Sequence, residues 1–283
     1  MATDDDSANG RDVCFVRPPR EAVIRAQPDV QEAEVFTADN KKQPYALLDV
    51  QQSLLARLDD SLVYPHACRV AGAFKDTRIY REWTFGPLAP MRQPQRPDLP
   101  SDTLLNNAAN LGLVLNVLNQ DTEAKQRLLA TLRDLYDGIS DLRVNIERDT
   151  VNVYLREGDM TISATRLSDG TIRYLCLLAI LCHPEPPSLV CLEEPELGLH
   201  PDILPGLADL LVDASQRCQV IVTTHSDILV DKLSDTPDSV VVCEKHNDQT
   251  EMRRFDSDDL KRWLDHYSLG ELWTRGELGG NRW

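Results

Sequence analysis

The sequence predicts an α/β fold in which a mostly parallel sheet is flanked by helices. The main observation is an alternation that starts at residue 167: a helix over 169–182, a strand over 189–193, a helix over 202–215, a strand over 219–223, a helix over 227–233 and a strand over 239–244. Alternating helices and strands are typical of parallel sheets. The segments 189–193 and 219–223 are apolar runs without a polar face, so each strand is expected to be buried on both sides.

The chain before residue 167 predicts further elements from helical spacing, capping residues and short apolar runs. These are a helix over 47–62, a helix from Ser101 or Asp102 to about Leu118, a helix that opens at Asp121, and strands near 142–147 and 151–155. Closely spaced prolines from Pro87 to Pro100 predict a loop or a connector between lobes, since proline fixes φ and removes a backbone donor.

These elements predict three parts of the chain. Residues 1–12 are expected to form a disordered acidic N-terminus, residues 13–160 the remnant of a first lobe with a helical insert, and residues 161–283 a second lobe with a C-terminal tail.

Composition excludes several classes of function. Asp and Glu number 46 against 30 Lys and Arg, a formal net charge of −16, which disfavours broad, non-specific binding to nucleic acids and to anionic membranes. The seven cysteines show no Cys-x-x-Cys spacing and several lie in apolar runs, as reduced thiols do. No apolar run approaches the roughly 20 residues that span a bilayer. A cytoplasmic protein without a membrane partner is therefore expected.

Two carboxylates end the apolar strand over 189–193. At the carboxyl end of such a strand, where open α/β sheets bind ligands, Glu193 is expected to hold Mg²⁺ directly or through water. Glu194 is expected to orient or deprotonate the water that attacks a phosphoryl group. The alternative is that both are solvated carboxylates of the kind that strand ends often carry.

Two further segments carry polar groups at the start of a helix. His225 follows the strand over 219–223 and could hydrogen-bond a γ-phosphate oxygen or the attacking water. Its alternative is an incidental position beside a helix cap formed by Thr224 or Ser226. In the segment 167–171, Ser168, Gly170 and the helix N-terminal amides form a potential anion site, for which an ordinary cap is again the alternative.

Together, and in this order, these segments resemble the ABC-type ATPases of the RecF, SMC and OLD group, in particular stand-alone bacterial "AAA family" ATPases. Residues 166–171 match the signature, 189–194 the Walker B strand, 195–201 the D-loop region and 223–226 the His switch. The resemblance implies a P-loop NTPase fold with an ABC/RecF-type core, ATP as substrate, Mg²⁺ as cofactor, and a head-to-tail dimer.

The resemblance also implies a role for each matching residue. Glu194 and His225 would be catalytic and Glu193 would bind the metal for the nucleotide of the same chain. The groups that would contact the partner's nucleotide or lie in the D-loop region are Ser168, Asp169 and Gly170 of the signature, with Gly198 and His200.

Two departures from the family pattern change these expectations. The family usually has Asp at the position of Glu193, and the sequence contains no Gly-x-x-x-x-Gly-Lys-Ser/Thr phosphate loop. An N-terminally truncated core, without the first strand, loop and helix and weak or inactive alone, is therefore expected. It would pair with itself or with an ATPase that carries the loop, with DNA or a nuclease or effector protein as a further partner. Alternatives are a non-catalytic regulatory or interaction subunit, a fragment of a split gene, and a degraded gene product.

Overall fold

The computed structural model describes residues 24–26, 32–39, 41–46, 53–135, 138–246 and 249–279. The chain divides into two compact units, residues 1–76 and residues 77–283. The predicted disordered segment 1–12 lies outside the described residues, and the predicted boundary between 160 and 161 stays a prediction.

The described part of the first unit contains a small antiparallel sheet and one α-helix. The sheet has the order β1 (Ile24–Ala26), β2 (Glu32–Phe36), β3 (Lys42–Ala46), and the helix is α1 (Pro65–Lys75). The predicted helix over 47–62 is wrong for its described part, which holds only a 3₁₀ turn at Leu54–Ala56. Asp60 Oδ1 accepts from the amides of Leu62 and Val63, so this side chain forms a local turn where a helix would have continued.

The second unit holds the remaining elements. In chain order these are β4 (Thr77–Tyr80), α2 (Leu111–Gln120), α3 (Thr122–Leu135), β5 (Ile139–Glu147), β6 (Thr150–Glu157), β7 (Met160–Ser163), α4 (Asp169–Leu181), β8 (Leu189–Glu193), α5 (Leu204–Ser215), β9 (Gln219–Thr223), α6 (Asp227–Asp231), β10 (Val241–His246), β11 (Gln249–Arg254), α7 (Ser257–Leu264) and α8 (Leu269–Thr274). The strands β5, β6 and β7 form an antiparallel meander.

A parallel sheet with the order β4, β8, β9 carries the predicted site strands, and the predicted α/β fold is confirmed. One face of the sheet packs into the core through Tyr80, Val190 and Leu192. The prediction of burial on both faces is wrong. On the other face Ile79 and Ile221, which flank Cys191 in register, are 48% and 49% exposed.

The last predicted strand does not belong to the parallel sheet. The segment expected at 239–244 forms β10, which pairs antiparallel with β11 as a separate two-stranded sheet. The alternation rule fails here because a hairpin partner directly follows in sequence, and local antiparallel pairing needs no crossover.

Helix α4 is the centre of the core. All residues from Thr171 to Leu181 are buried, as expected of a helix that is apolar on all sides. Ser168 caps it by accepting from the amide of Thr171 at 3.0 Å, so the helix begins where the sequence predicts. The signature-like turn at its N-terminus is therefore attached to a helix that lies in the core of the unit.

The region before α2 differs from the predicted helix and connector. Helix α2 begins at Leu111, because the buried Asn110 side chain accepts from the amide of Leu105 and donates to two carbonyls, Pro100 O and Thr103 O. These hydrogen bonds hold residues 101–110 in turns.

The proline-rich segment before it is part of the core. Met91, Arg92 and Gln95 are buried there, and the Gln95 side chain accepts from the amide of Gly112 at 2.7 Å.

Within the described residues, no helix combines the length and the apolar character needed to cross a membrane.

Truncation in the core and on the open sheet face should have different costs. Leu178→Ala removes a fully buried side chain from α4, and we expect it to lower the free energy of unfolding by about 2–5 kcal/mol. Ile221→Ala, on the half-exposed face, should cost less than about 1.5 kcal/mol, since much of that side chain is already hydrated. Urea unfolding of both variants measures the difference, and equal losses would contradict the assignment of the open face.

Candidate functional site

The carboxyl ends of β8 and β9 bring the predicted catalytic residues together. Glu193 pairs in register with Thr223, and the amide of Glu194 donates to the Thr223 carbonyl at 2.9 Å. Glu194 has a φ of +43°, a left-handed conformation that is uncommon for a residue with a side chain. The chain therefore turns sharply at Glu194 and leaves β8 at the sheet edge.

The side chains at this edge are accessible. The Glu193 side chain is 54% exposed, and its Oε2 lies 3.7 Å from Nε of Arg81. The Glu194 side chain is less exposed, and its Oε1 lies 3.5 Å from Nε2 of His225. The structure thus places Glu193, Glu194 and His225 at one edge, with a carboxylate and an imidazole near hydrogen-bonding range.

The predicted cap beside His225 is also present. Ser226 Oγ accepts from the amide of Leu229 at the start of α6. The His225 ring is not part of this cap, because it points to Glu194 and is largely exposed. The capping role of Ser226 and a site role of His225 are therefore compatible.

A third carboxylate, Glu196, was missed by sequence reasoning. Its Oε1 accepts from Thr224 Oγ1 at 2.6 Å and from the amide of His225 at 2.9 Å. Its Oε2 is buried without a hydrogen-bond partner among the described residues. The sequence signal was the third acidic residue of the segment Glu-Glu-Pro-Glu, but spacing alone does not show what it bonds.

The signature turn and the D-loop region are in contact. A Cβ built on Gly170 would lie 2.9 Å from the carbonyl oxygen of Gly198, which itself has a φ of +70°. Ser168 is occupied by the cap, where its Oγ also lies 2.7 Å from Thr171 Oγ1. Both glycines are therefore required by geometry, one for close approach and one for a left-handed turn.

Arg173 of α4 holds the D-loop region from the other side. Its Nη1 donates to the carbonyl of Leu197, and its guanidinium lies over the rings of Trp83 and Phe85 at 5.7 and 5.4 Å. Burial lowers the pKa of Arg173, while the nearby carboxylates of Glu196 and Glu194 act in the opposite direction. This buried cation was not predicted from the sequence.

Arg92 holds the signature turn itself. It is 7% exposed, and its guanidinium donates to the carbonyls of Ala164 and Leu167 and to the carboxylate of Asp169. Asp169, predicted to bind a nucleotide, is thus paired within the chain through one of its oxygens. Arg92 was missed because it lies in the proline-rich segment that the sequence suggests is a connector.

His200 caps a 3₁₀ turn over Pro201–Ile203 and is exposed. Its side chain is 69% exposed, and Nδ1 accepts from the amide of Asp202 at 3.3 Å. It stands on the same short loop as Gly198, free to contact another molecule.

The donors at the sheet edge fit Mg²⁺ held together with a phosphate. Mg²⁺ usually takes one or two carboxylates and completes its octahedral shell with water and substrate oxygens. Glu193 offers an exposed carboxylate of this kind. Among the described residues no group of three or more His, Cys, Asp or Glu side chains forms a metal cage. Glu193 with ATP oxygens and water is a set that the edge can accommodate.

Comparison with known families places most of this site inside one domain model. The family described as "AAA domain, putative AbiEii toxin, Type IV TA system" matches residues 87–231. The matched segment includes Arg92, the signature turn, the acidic end of β8 and His225. No curated protein matches the chain.

Solved structures with a similar fold include three described as SMC heads or SMC ATPases. An SMC head domain with a coiled coil and joint derived from Pyrococcus yayanosii is 16% identical, with a TM-score of 0.40; the match covers 50% of this chain and 28% of that one. An SMC ATPase studied for ATP-driven dimerization and DNA-stimulated activation is 14% identical, with a TM-score of 0.41 and coverages of 55% and 95%. The SMC head domain from Thermotoga maritima is 13% identical, with a TM-score of 0.37 and coverages of 80% and 68%.

The contact between Gly170 and Gly198 can be tested by adding one methyl group. Gly170→Ala would place Cβ 2.9 Å from a backbone oxygen, so we expect a loss of about 1–3 kcal/mol in the free energy of unfolding. Gly72→Ala, in the middle of α1 with nothing within 4 Å of the new Cβ, is the matched control and should gain about 0.5–1 kcal/mol. Urea unfolding gives both values, and a neutral Gly170→Ala would show that the loop is not held against the turn.

Proposed function

This chain belongs to that family of AAA domains, and from this premise we propose that its sheet edge hydrolyses ATP as one half of a composite site. Glu193 binds Mg²⁺, Glu194 acts on the attacking water, and His225 contacts the γ-phosphate or that water. The phosphate loop comes from residues outside this sequence. The signature turn contacts the nucleotide held by a second protomer.

The observation that carries the proposal is the meeting of Glu194 and His225 at the end of a parallel sheet. Glu194 follows β8 and His225 follows β9, and their side chains approach to 3.5 Å. The carboxyl edge of an open α/β sheet is where such folds bind ligands. A solvated strand end does not by itself require the left-handed turn that Glu194 adopts.

The groups at this edge support in-line attack by water. Glu194, held by its amide on Thr223 O, presents a carboxylate that can accept the water proton as the bond to phosphorus forms. His225 can donate a hydrogen bond to a phosphate oxygen or help to orient the water. The bound Mg²⁺ would neutralise charge on the phosphate oxygens. Glu193 is one methylene longer than the aspartate usual in the family and stands beside Arg81, which would keep its carboxylate oriented.

The missing part of the site is a cradle for the β- and γ-phosphates. The sequence contains no Gly-x-x-x-x-Gly-Lys-Ser/Thr, so it lacks the backbone amides and lysine that usually hold these groups. A partly exposed row of Ile79, Cys191 and Ile221 crosses the three strands just before their carboxyl ends. A helix that follows a phosphate loop would cover this row, as helices cover both faces of parallel sheets.

A second candidate function is a non-catalytic subunit that completes the site of another ATPase. The observation in its favour is that the signature turn is fully built: Ser168 caps α4, Gly170 packs on Gly198, and Arg92 holds Asp169. Such a turn could serve a partner's nucleotide even if this chain never binds its own.

The two functions differ in their response to Glu194→Gln. Phosphate release would be measured for the chain extended by its in-frame upstream codons, and for the chain mixed with a loop-carrying ATPase from the same genomic neighbourhood. If this chain hydrolyses ATP, Glu194→Gln should lower kcat by about 10²–10⁴-fold, the usual contribution of a general base, while ATP binding persists. The absence of Mg²⁺-dependent phosphate release in every combination would refute the proposal.

Gly170→Asp is the matched variant for the second function. A carboxylate at this position would repel a nucleotide phosphate bound by the partner, so the partner's rate should fall while Glu194→Gln leaves it unchanged. Since Gly170→Asp also crowds Gly198, Gly170→Asn provides the control for steric effects alone. If the partner's rate of ATP hydrolysis is unchanged by Gly170→Asp but falls with Glu194→Gln, the non-catalytic subunit is ruled out.

A further inference from the structure

The carboxylate of Glu196 differs from those of Glu193 and Glu194 in being hydrogen-bonded within the protein, with its Oε2 buried. Glu193 and Glu194 approach an arginine and a histidine side chain at 3.7 and 3.5 Å. Glu196 instead accepts two close hydrogen bonds from the segment after β9, from Thr224 Oγ1 and from the amide of His225. Hydrogen bonds to an ionised carboxylate are about twice as strong as neutral ones.

The backbone around Glu196 is held by hydrogen bonds. The Glu196 carbonyl accepts from the amide of Leu199, and the Leu197 carbonyl accepts from the buried guanidinium of Arg173. Gly198, one residue further, lies against Gly170. The Glu196 carboxylate therefore extends from a loop that is held against α4.

Glu196 holds the segment after β9 through one side chain, that of Thr224, and one backbone amide, that of His225. The His225 side chain is 73% exposed, and its Nε2 lies 3.5 Å from Oε1 of Glu194. Thr224 Oγ1 also accepts from the amide of Ser226 at 3.0 Å, and Ser226 in turn caps α6. The position of the imidazole relative to Glu194 thus depends on where the backbone of residues 224–226 is held.

From this arrangement we infer that Glu196 is a positioning residue for His225. Its carboxylate fixes the backbone of residues 224 and 225 so that the imidazole stays beside the Glu194 carboxylate. It contacts neither water nor phosphate in the reaction. The inference rests on the proposed function for its kinetic consequence only, since the restraint itself is a property of this chain.

The first test measures the restraint without any nucleotide. Hydrogen exchange of the His225 amide in the full chain, followed by NMR, reports the bond to Glu196 directly. Glu196→Ala should speed this exchange by about tenfold or more, the factor expected for losing a hydrogen bond to a charged group. Glu196→Gln keeps an acceptor oxygen at the same reach and should restore most of the protection. Unchanged exchange in Glu196→Ala would overturn the inference.

A matched control separates positioning from general destabilisation. Asp238 also accepts from one amide and one hydroxyl, those of Ser257, elsewhere in the same unit. Asp238→Ala should lower the melting temperature to a similar extent as Glu196→Ala but leave the His225 amide unchanged. If both variants speed exchange at His225 equally, Glu196 has no specific role there.

The kinetic test uses whichever assembly shows ATP hydrolysis. Glu196→Ala should lower kcat with little change in KM, and Glu196→Gln should recover at least half of the lost rate, whereas Asp238→Ala should leave kcat unchanged. A kcat that is unaffected by Glu196→Ala, or a loss that Glu196→Gln does not recover, would overturn the positioning role. If no assembly hydrolyses ATP, the proposed function fails while the exchange measurement still decides whether Glu196 holds the His225 segment.

Discussion

The hydrogen bond from Arg173 to the carbonyl of Leu197 is the interaction on which the arrangement of the site depends. Arg173 belongs to α4, whose buried residues form the centre of the core, so the guanidinium is fixed by the best-packed element of the unit. A buried guanidinium is costly unless its charge is compensated. The Leu197 carbonyl accepts from Nη1, and two aromatic rings and nearby carboxylates compensate the charge, while Nε is buried without a hydrogen-bond partner among the described residues. The bond to Leu197 holds the loop after β8 in place.

The loop after β8 contacts both the signature turn and the segment after β9. Gly170 touches Gly198 on the side of the signature turn, and Glu196 holds residues 224 and 225 on the side of β9. The loop starts with Glu194, whose left-handed conformation persists in a residue with a side chain only when surrounding contacts determine it. It also includes Gly198, for which a left-handed φ is readily accessible. The strain at Glu194 is thus supported by contacts on both flanks of the loop.

The predictable parts of this fold are those that depend on residue patterns within a few positions of the sequence. The strands at 189–193 and 219–223, the cap at Ser168 and the helix that follows it were all confirmed, because alternation of apolar runs and capping residues is read within a few positions. The order of the signature, the acidic strand end and the His segment predicted the family. Arg92, Arg173 and Glu196 were not predictable, since each acts across more than 20 residues of sequence and no local spacing marks it. The proline-rich segment was wrongly predicted as a connector for the same reason, because its burial involves a hydrogen bond from the distant amide of Gly112 to the Gln95 side chain.

The distribution of charge at the sheet edge determines what the proposed site would need in order to bind a nucleotide. Glu193, Glu194 and Glu196 lie within four residues, and the overall charge of −16 adds a repulsive background for a nucleotide polyphosphate. Arg81 and His225 are the basic groups that the structure brings to the two exposed carboxylates. Neither can replace a ring of backbone amides with a lysine and a divalent ion, because each is already turned toward a carboxylate. Under the proposed function, an edge with this balance would bind ATP only when Mg²⁺ and a phosphate-binding loop arrive together, so nucleotide binding and assembly of the complete site should be a single coupled event.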